Sequence, residues 1–211
     1  MSNVDTSRLL SLLGLRLKGF ASAEAIAELL DVDTAEITAA LEAAANDGLV
    51  TFNEARSVYI LDSAVGRPEG ERLLSEQLDN MAVRADVEAA YAAFLKLNGQ
   101  MLQLCTDWQI RSDTEEQTLN DHTDDDYDQD VIGRLVDLDG QMRPILASLR
   151  TAVDRYSAYG PRFRAALDNL LAGELEYFTK PIIASYHTVW FELHEDLLAT
   201  LGIDRASEGS S

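Results

Sequence analysis

Asp33-Thr34-Ala35-Glu36-Ile37-Thr38-Ala39-Ala40-Leu41-Glu42-Ala43-Ala44-Ala45-Asn46-Asp47-Gly48-Leu49-Val50 reads as a helix that stops and turns straight into a strand. Ile37, Leu41 and Ala44 recur at three- and four-residue spacing, which places them on one helical face. Asp33 followed by Glu36 has the pattern of a capping box, in which each side chain satisfies a free N–H of the first turn. Asp47-Gly48 ends the helix, because Gly adopts the left-handed cap conformation at little cost. Leu49–Phe52 and Ser57–Leu61 are rich in β-formers and are separated by Asn53-Glu54-Ala55-Arg56, so the strand continues as a hairpin. The same helix carries four acids and no Lys or Arg.

Two further helices precede this stretch. Thr6–Lys18 repeats Leu9, Leu10, Leu12, Leu13 and Leu15, Gly19-Phe20 breaks it, and Ser22 caps Ala23–Leu30. The order helix, helix, helix, hairpin over residues 6–62, with Asp47-Gly48-Leu49-Val50 at its turn, resembles the winged-helix domain of MarR-type and related bacterial regulators. That resemblance implies a winged helix-turn-helix and DNA contact through the third helix and the hairpin tip. Thr34 and Thr38 supply hydroxyls for phosphates or base edges, and Arg56 a minor-groove cation, with Arg16 and Lys18 nearby in sequence.

The charge pattern argues the other way. The chain has 211 residues and a net charge of −20. Residues 1–62 hold four basic and ten acidic residues, a balance of −6, and the remainder holds thirteen and twenty-seven, a balance of −14. Phosphate neutralisation supplies most non-specific DNA affinity, so any DNA binding is expected to be weak and salt-sensitive. The single cysteine, Cys105, excludes an internal disulfide and a cysteine zinc cage. The N-terminus lacks a signal-peptide pattern and no stretch approaches a membrane span, so a cytoplasmic protein is expected.

Arg67-Pro68-Glu69-Gly70-Glu71 reads as a joint, and beyond it the chain is helical. The expected helices start near Pro68, with a break near Asn80, then run over Ala85–Arg111, Thr123–Val153, Arg162–Ala172 and Pro181–Leu201. The fold class is therefore mainly α, a winged helix-turn-helix followed by an antiparallel helical bundle. The expected domains are 1–66, 67–203 and a disordered tail at 204–211. Leu104-Cys105-Thr106-Asp107-Trp108, Asn120-Asp121-His122 and Ser185–Leu197 resemble segments of a high-GC bacterial family linked to phosphoenolpyruvate-utilising, pyruvate phosphate dikinase-like enzymes. The catalytic histidine and nucleotide motifs of the dikinase are absent, so the resemblance implies association with such an enzyme and not its activity.

On a helical projection of Pro181–Leu201, His187 and His194 fall inside the apolar arc with Trp190. Asn98 lies mid-face on its helix and Asp139 at the edge of the next. Gly99, Gly140 and Pro144 coincide with them if the two helices are antiparallel. Asn98, Asp139, His187, Trp190 and His194 are thus the candidate lining of a mid-bundle ligand pocket, or a buried network with at least one His–Asn or His–Asp contact. No metal or cofactor is expected, since the histidines are seven apart and the acids at 121–130 miss the calcium-loop pattern. The wide apolar arc, ending at Leu198 and Phe191, suggests a homodimer. The combined expectation is a non-enzymatic transcriptional-regulator-like protein whose helical domain senses a small molecule or dimerises. The alternatives are an acidic protein-interaction module beside a phosphoenolpyruvate-utilising enzyme, and an enzyme using His187 or His194 as a general base.

Overall fold

The computed structural model describes residues 3–111 and 118–205, and it is mainly helical. In chain order the elements are α1 (Asn3–Lys18), β1 (Phe20–Ala21), α2 (Ala23–Leu30), α3 (Thr34–Asn46), β2 (Val50–Asn53), β3 (Val58–Leu61), α4 (Gly66–Met81), α5 (Arg84–Gln109), β4 (Ile110–Arg111), β5 (Thr118–Leu119), α6 (Asp125–Ala152), α7 (Tyr159–Leu171) and α8 (Tyr186–Leu201). Short 3-10 turns at Asp154–Ala158 and Leu175–Tyr177 flank α7. Among the described residues, no helix is long and apolar enough to cross a membrane.

The chain divides into two compact units, residues 1–85 with 192–211, and residues 86–191. The sequence reading instead places its boundary at 66/67. The difference comes from α4, whose Leu73 and Leu74 join the core made by Leu9, Leu12 and Leu13 of α1, Ile26 of α2 and Leu41 of α3. The apolar face of α4 is therefore buried in the first unit.

In that unit β1, β3 and β2 form an antiparallel sheet in that order. Phe20 pairs with Ile60, and Ile60 in turn with Thr51. Sequence reading treats Gly19-Phe20 only as a break, because two residues carry no alternation. Ser22 caps α2 by accepting from the Ala25 amide at 3.3 Å. Asp33 caps α3 through the amides of Ala35 and Glu36 at 2.8 and 3.1 Å. The second half of the expected capping box is not made. Glu36 accepts instead from the Ser7 hydroxyl at 3.3 Å. Gly48 has φ +73°, the left-handed turn that stops α3. Gly66 starts α4 against the Leu49 carbonyl oxygen, which would lie 2.0 Å from any Cβ at that position.

In the second unit α5 and α6 are joined through β4 and β5, which pair antiparallel. This short ladder is a correction to an all-helical reading. Asp124, and not Thr123, caps α6, by accepting from the Tyr127 amide at 3.2 Å. α8 begins at Tyr186 and not at Pro181, because residues 181–184 form turns. Aromatic rings fill the core. Phe94 lies 4.8 Å from Trp190, Phe163 4.9 Å from Tyr186 and Trp108 4.6 Å from Phe178. Residues 112–117 and 206–211 lie outside the described residues, and with them half of the loop expected at 112–123 and most of the tail expected at 204–211.

Candidate functional site

The five residues read as one mid-bundle site separate into different surroundings. Trp190 is buried among Phe94, Phe163 and Tyr186, and its indole N–H donates to the Asn98 side-chain oxygen at 2.9 Å. One turn earlier on α8, the Tyr186 phenol donates to Asp139 at 3.3 Å. The other carboxylate oxygen of Asp139 accepts from Arg143 Nε and Nη2 at 2.9 and 2.8 Å. Burial, followed by the Asp139 charge, pushes the Tyr186 phenol far above its ordinary pKa. These are two separate polar clamps that tie α8 to α5 and to α6.

His187 is half-buried and His194 buried. The unit boundary falls between Phe191 and Glu192, so His187 belongs to the second unit and His194 to the first. Asn98 and Asp139 pair with Trp190, Tyr186 and Arg143. Burial holds His187 below the usual histidine range. It lowers His194 to about 4, with the Arg205 guanidinium adding to the effect and Glu195 opposing it. Gly99 and Gly140 face open space, with nothing within 4 Å of an added Cβ, so they do not open an internal pocket. Leu198 is buried and is not available for a dimer contact, whereas Phe191 is 46% exposed.

The sequence reading assigns no partners to His122, which sits in the polar network it sought elsewhere. His122 Nδ1 lies 2.9 Å from Asp128 Oδ2. Asn120 donates to Asp128 Oδ1 at 2.8 Å and to the Trp108 carbonyl at 3.1 Å. The Trp108 ring covers the imidazole at 4.4 Å, and His122 itself has φ +57°. Asp128 is therefore buried at the start of α6. Asp107 is also buried, and it accepts from Gln103 and Arg134, both at 2.7 Å. Cys105 is half-buried in α5, and burial raises its thiol pKa to about 12, which suits a packing role over catalysis.

Asp139 lines a cleft. The cleft measures about 310 Å³ and lies between α6, the 3-10 turn before α7, and α7. Asp139, Arg143, Leu146, Ala147 and Arg150 form the α6 wall at spacings of three or four residues, so they share one helical face. Tyr156 and Ser157 come from the turn, and Gly160, Pro161, Phe163 and Arg164 from α7. Arg150 and Arg164 are exposed and have no carboxylate partner among the described residues. The signal was present in the sequence. Residues 143–164 contain five of the fourteen arginines and a single acid, Asp154, in a chain of net charge −20.

The DNA-contact candidates lie in the first unit. Arg16 is nearly buried between Glu71 at 2.7 Å and Glu195 at 2.6 Å. Burial lowers its pKa, but those two carboxylates outweigh it and the net shift is upward. Lys18 pairs with Glu192 at 2.7 Å. Both cations, expected at a phosphate surface, are instead held by this unit's own carboxylates. Thr38 donates to the Thr34 carbonyl at 2.8 Å, and Thr34 is exposed. Arg56 stands exposed at the hairpin tip, with its backbone N–H on Asn53. Comparison with known proteins adds no relative, since no family model, curated protein or solved structure matches the chain.

Proposed function

We propose that the chain is a non-enzymatic regulatory protein, in which a winged-helix module docks on a partner protein and the helical unit senses a small molecule. The observation that carries this reading is strand β1. It lies between α1 and α2 and pairs with β3 of the hairpin, the connectivity of a winged helix. Partner docking is favoured over DNA because Arg16 and Lys18 are already ion-paired. The exposed side of α3 presents Glu36 and Glu42, with no cation paired to them among the described residues. Beside it the sheet exposes Phe20 and Ile60, paired side by side, at 56% and 40%. An acidic surface edged by apolar side chains suits a basic protein surface with an apolar centre. The phosphoenolpyruvate-utilising enzyme implied by the second resemblance is the first partner to try.

DNA binding is the second reading, favoured by Arg56 alone. A gel shift on genomic fragments across salt concentrations separates the two. The expected result is no shift at moderate salt, with copurification of a partner lost in Ile60→Glu. A low-salt shift abolished by Arg56→Glu would instead establish the DNA reading. The homodimer proposal retains Phe191 as its contact, and light scattering at micromolar concentration tests it.

A further inference from the structure

We infer that the Arg143–Arg150–Arg164 cleft binds a small organic phosphate, which deepens the sensing role proposed above and rests on it. The first argument is charge placement. The chain has 37 carboxylates for 17 cations, so a cation here ordinarily finds a carboxylate. Arg8, Arg16, Arg67, Arg72 and Arg134 all do so. Among the described residues Arg150 and Arg164 do not, and they line the same concave surface. Leaving two guanidiniums unpaired where acids are abundant preserves a site for an anion supplied from outside.

The second argument is chemistry. A guanidinium presents a planar fork that matches phosphate or carboxylate oxygens in pairs. One arginine suffices for a carboxylate, whereas the dianion of a phosphate ester has oxygens for several. Arg143 is oriented by its two bonds to the buried Asp139, and Asp139 is held in turn by Tyr186. One wall of the cleft is therefore pre-organised, and binding does not have to order it.

The third argument is size and lining. About 310 Å³ exceeds the volume of an inorganic phosphate several-fold and lies at the lower end of small-molecule sites. Leu146, Ala147, Pro161 and Phe163 provide an apolar wall, and Ser157 a hydroxyl. The occupant then carries a compact apolar or ring body esterified to the phosphate. The concavity suits a small molecule over an extended nucleic-acid backbone.

The test uses the full chain, with phenyl phosphate, inorganic phosphate and benzoate as probes at matched ionic strength, read by calorimetric titration and thermal melting. Phenyl phosphate is expected to bind saturably, at least tenfold more tightly than inorganic phosphate or benzoate. The double substitution Arg150→Glu, Arg164→Glu should abolish binding and leave the unliganded melting curve cooperative. Ala147→Phe, an exposed position on the cleft wall, should block the same binding without changing charge, and serves if the double variant fails to fold. Binding unchanged in these variants, or no saturable binding of phenyl phosphate at millimolar concentration, would overturn the inference. Binding of benzoate alone would overturn the ligand class and leave the sensing role standing. That role fails separately if partner docking is the same with and without a bound ligand.

Discussion

Tyr186 and Asp139, 47 residues apart in sequence, share a buried hydrogen bond that joins the start of α8 to the middle of α6. Asp139 also orients Arg143, so one carboxylate serves the core on one side and the cleft on the other. Tyr186→Phe should lower stability by about 1–2 kcal/mol in urea denaturation, because it leaves a buried acceptor one donor short. Asp139→Asn should cost more, since it removes the charge that holds Arg143. Equal stability of both variants with wild type would show that the clamp contributes nothing.

His194 makes the first unit sensitive to acid. Its folded pKa of about 4 lies below its ordinary value, so the unfolded chain takes up the proton first as pH falls. The stability associated with the neutral imidazole is intact above about pH 6.5 and is lost progressively down to pH 4. The effect is on the order of 1–3 kcal/mol, part of it screened by solvent. His187 acts in the same direction. His194→Gln should flatten the wild-type decline between pH 7 and pH 4.5. A variant that declines as steeply as wild type would assign the effect to other groups.

Two glycine substitutions should move stability in opposite directions. Gly66→Ala places a methyl group 2.0 Å from the Leu49 carbonyl oxygen, and relief requires backbone movement. A loss of about 1–3 kcal/mol is expected. Gly140→Ala adds a methyl in open space within α6 and should gain roughly 0.5–1 kcal/mol from reduced backbone entropy. A loss at Gly140 would restore the idea that its missing bulk is needed in the fold.

Asn120→Ala should cost about 1–3 kcal/mol, because it strips one buried oxygen of Asp128 and the Trp108 carbonyl of the same donor. The near-ultraviolet signal of Trp108 should change with it, since the imidazole packed on that ring loses its neighbour. An unchanged spectrum with unchanged stability would show that the network holds nothing in place.

The legible parts of the fold were those with local causes. The caps at Ser22 and Asp33, the stop at Gly48 and the apolar spacing of α1 to α3 could be read from neighbouring residues. β1 could not, because two residues become a strand only when β3 arrives some forty positions later. The site was less legible for a related reason. Inward projection correctly marked Asp139 and His194 as buried, but a projection gives a direction and not a neighbour. It could not show that Asn98 meets an indole, or that His187 and His194 fall in different compact units. The arginine run at 143–164 was open to a simple charge count.

Cys105 is the chain's single thiol, and burial raises its pKa to about 12, so at neutral pH very little of it is thiolate. A thiol-reactive reagent therefore has one target, which reacts slowly while α5 stays packed and faster when that helix opens locally. The rate of alkylation becomes a clock for motions of the second unit, with no label to introduce and no competing site to remove.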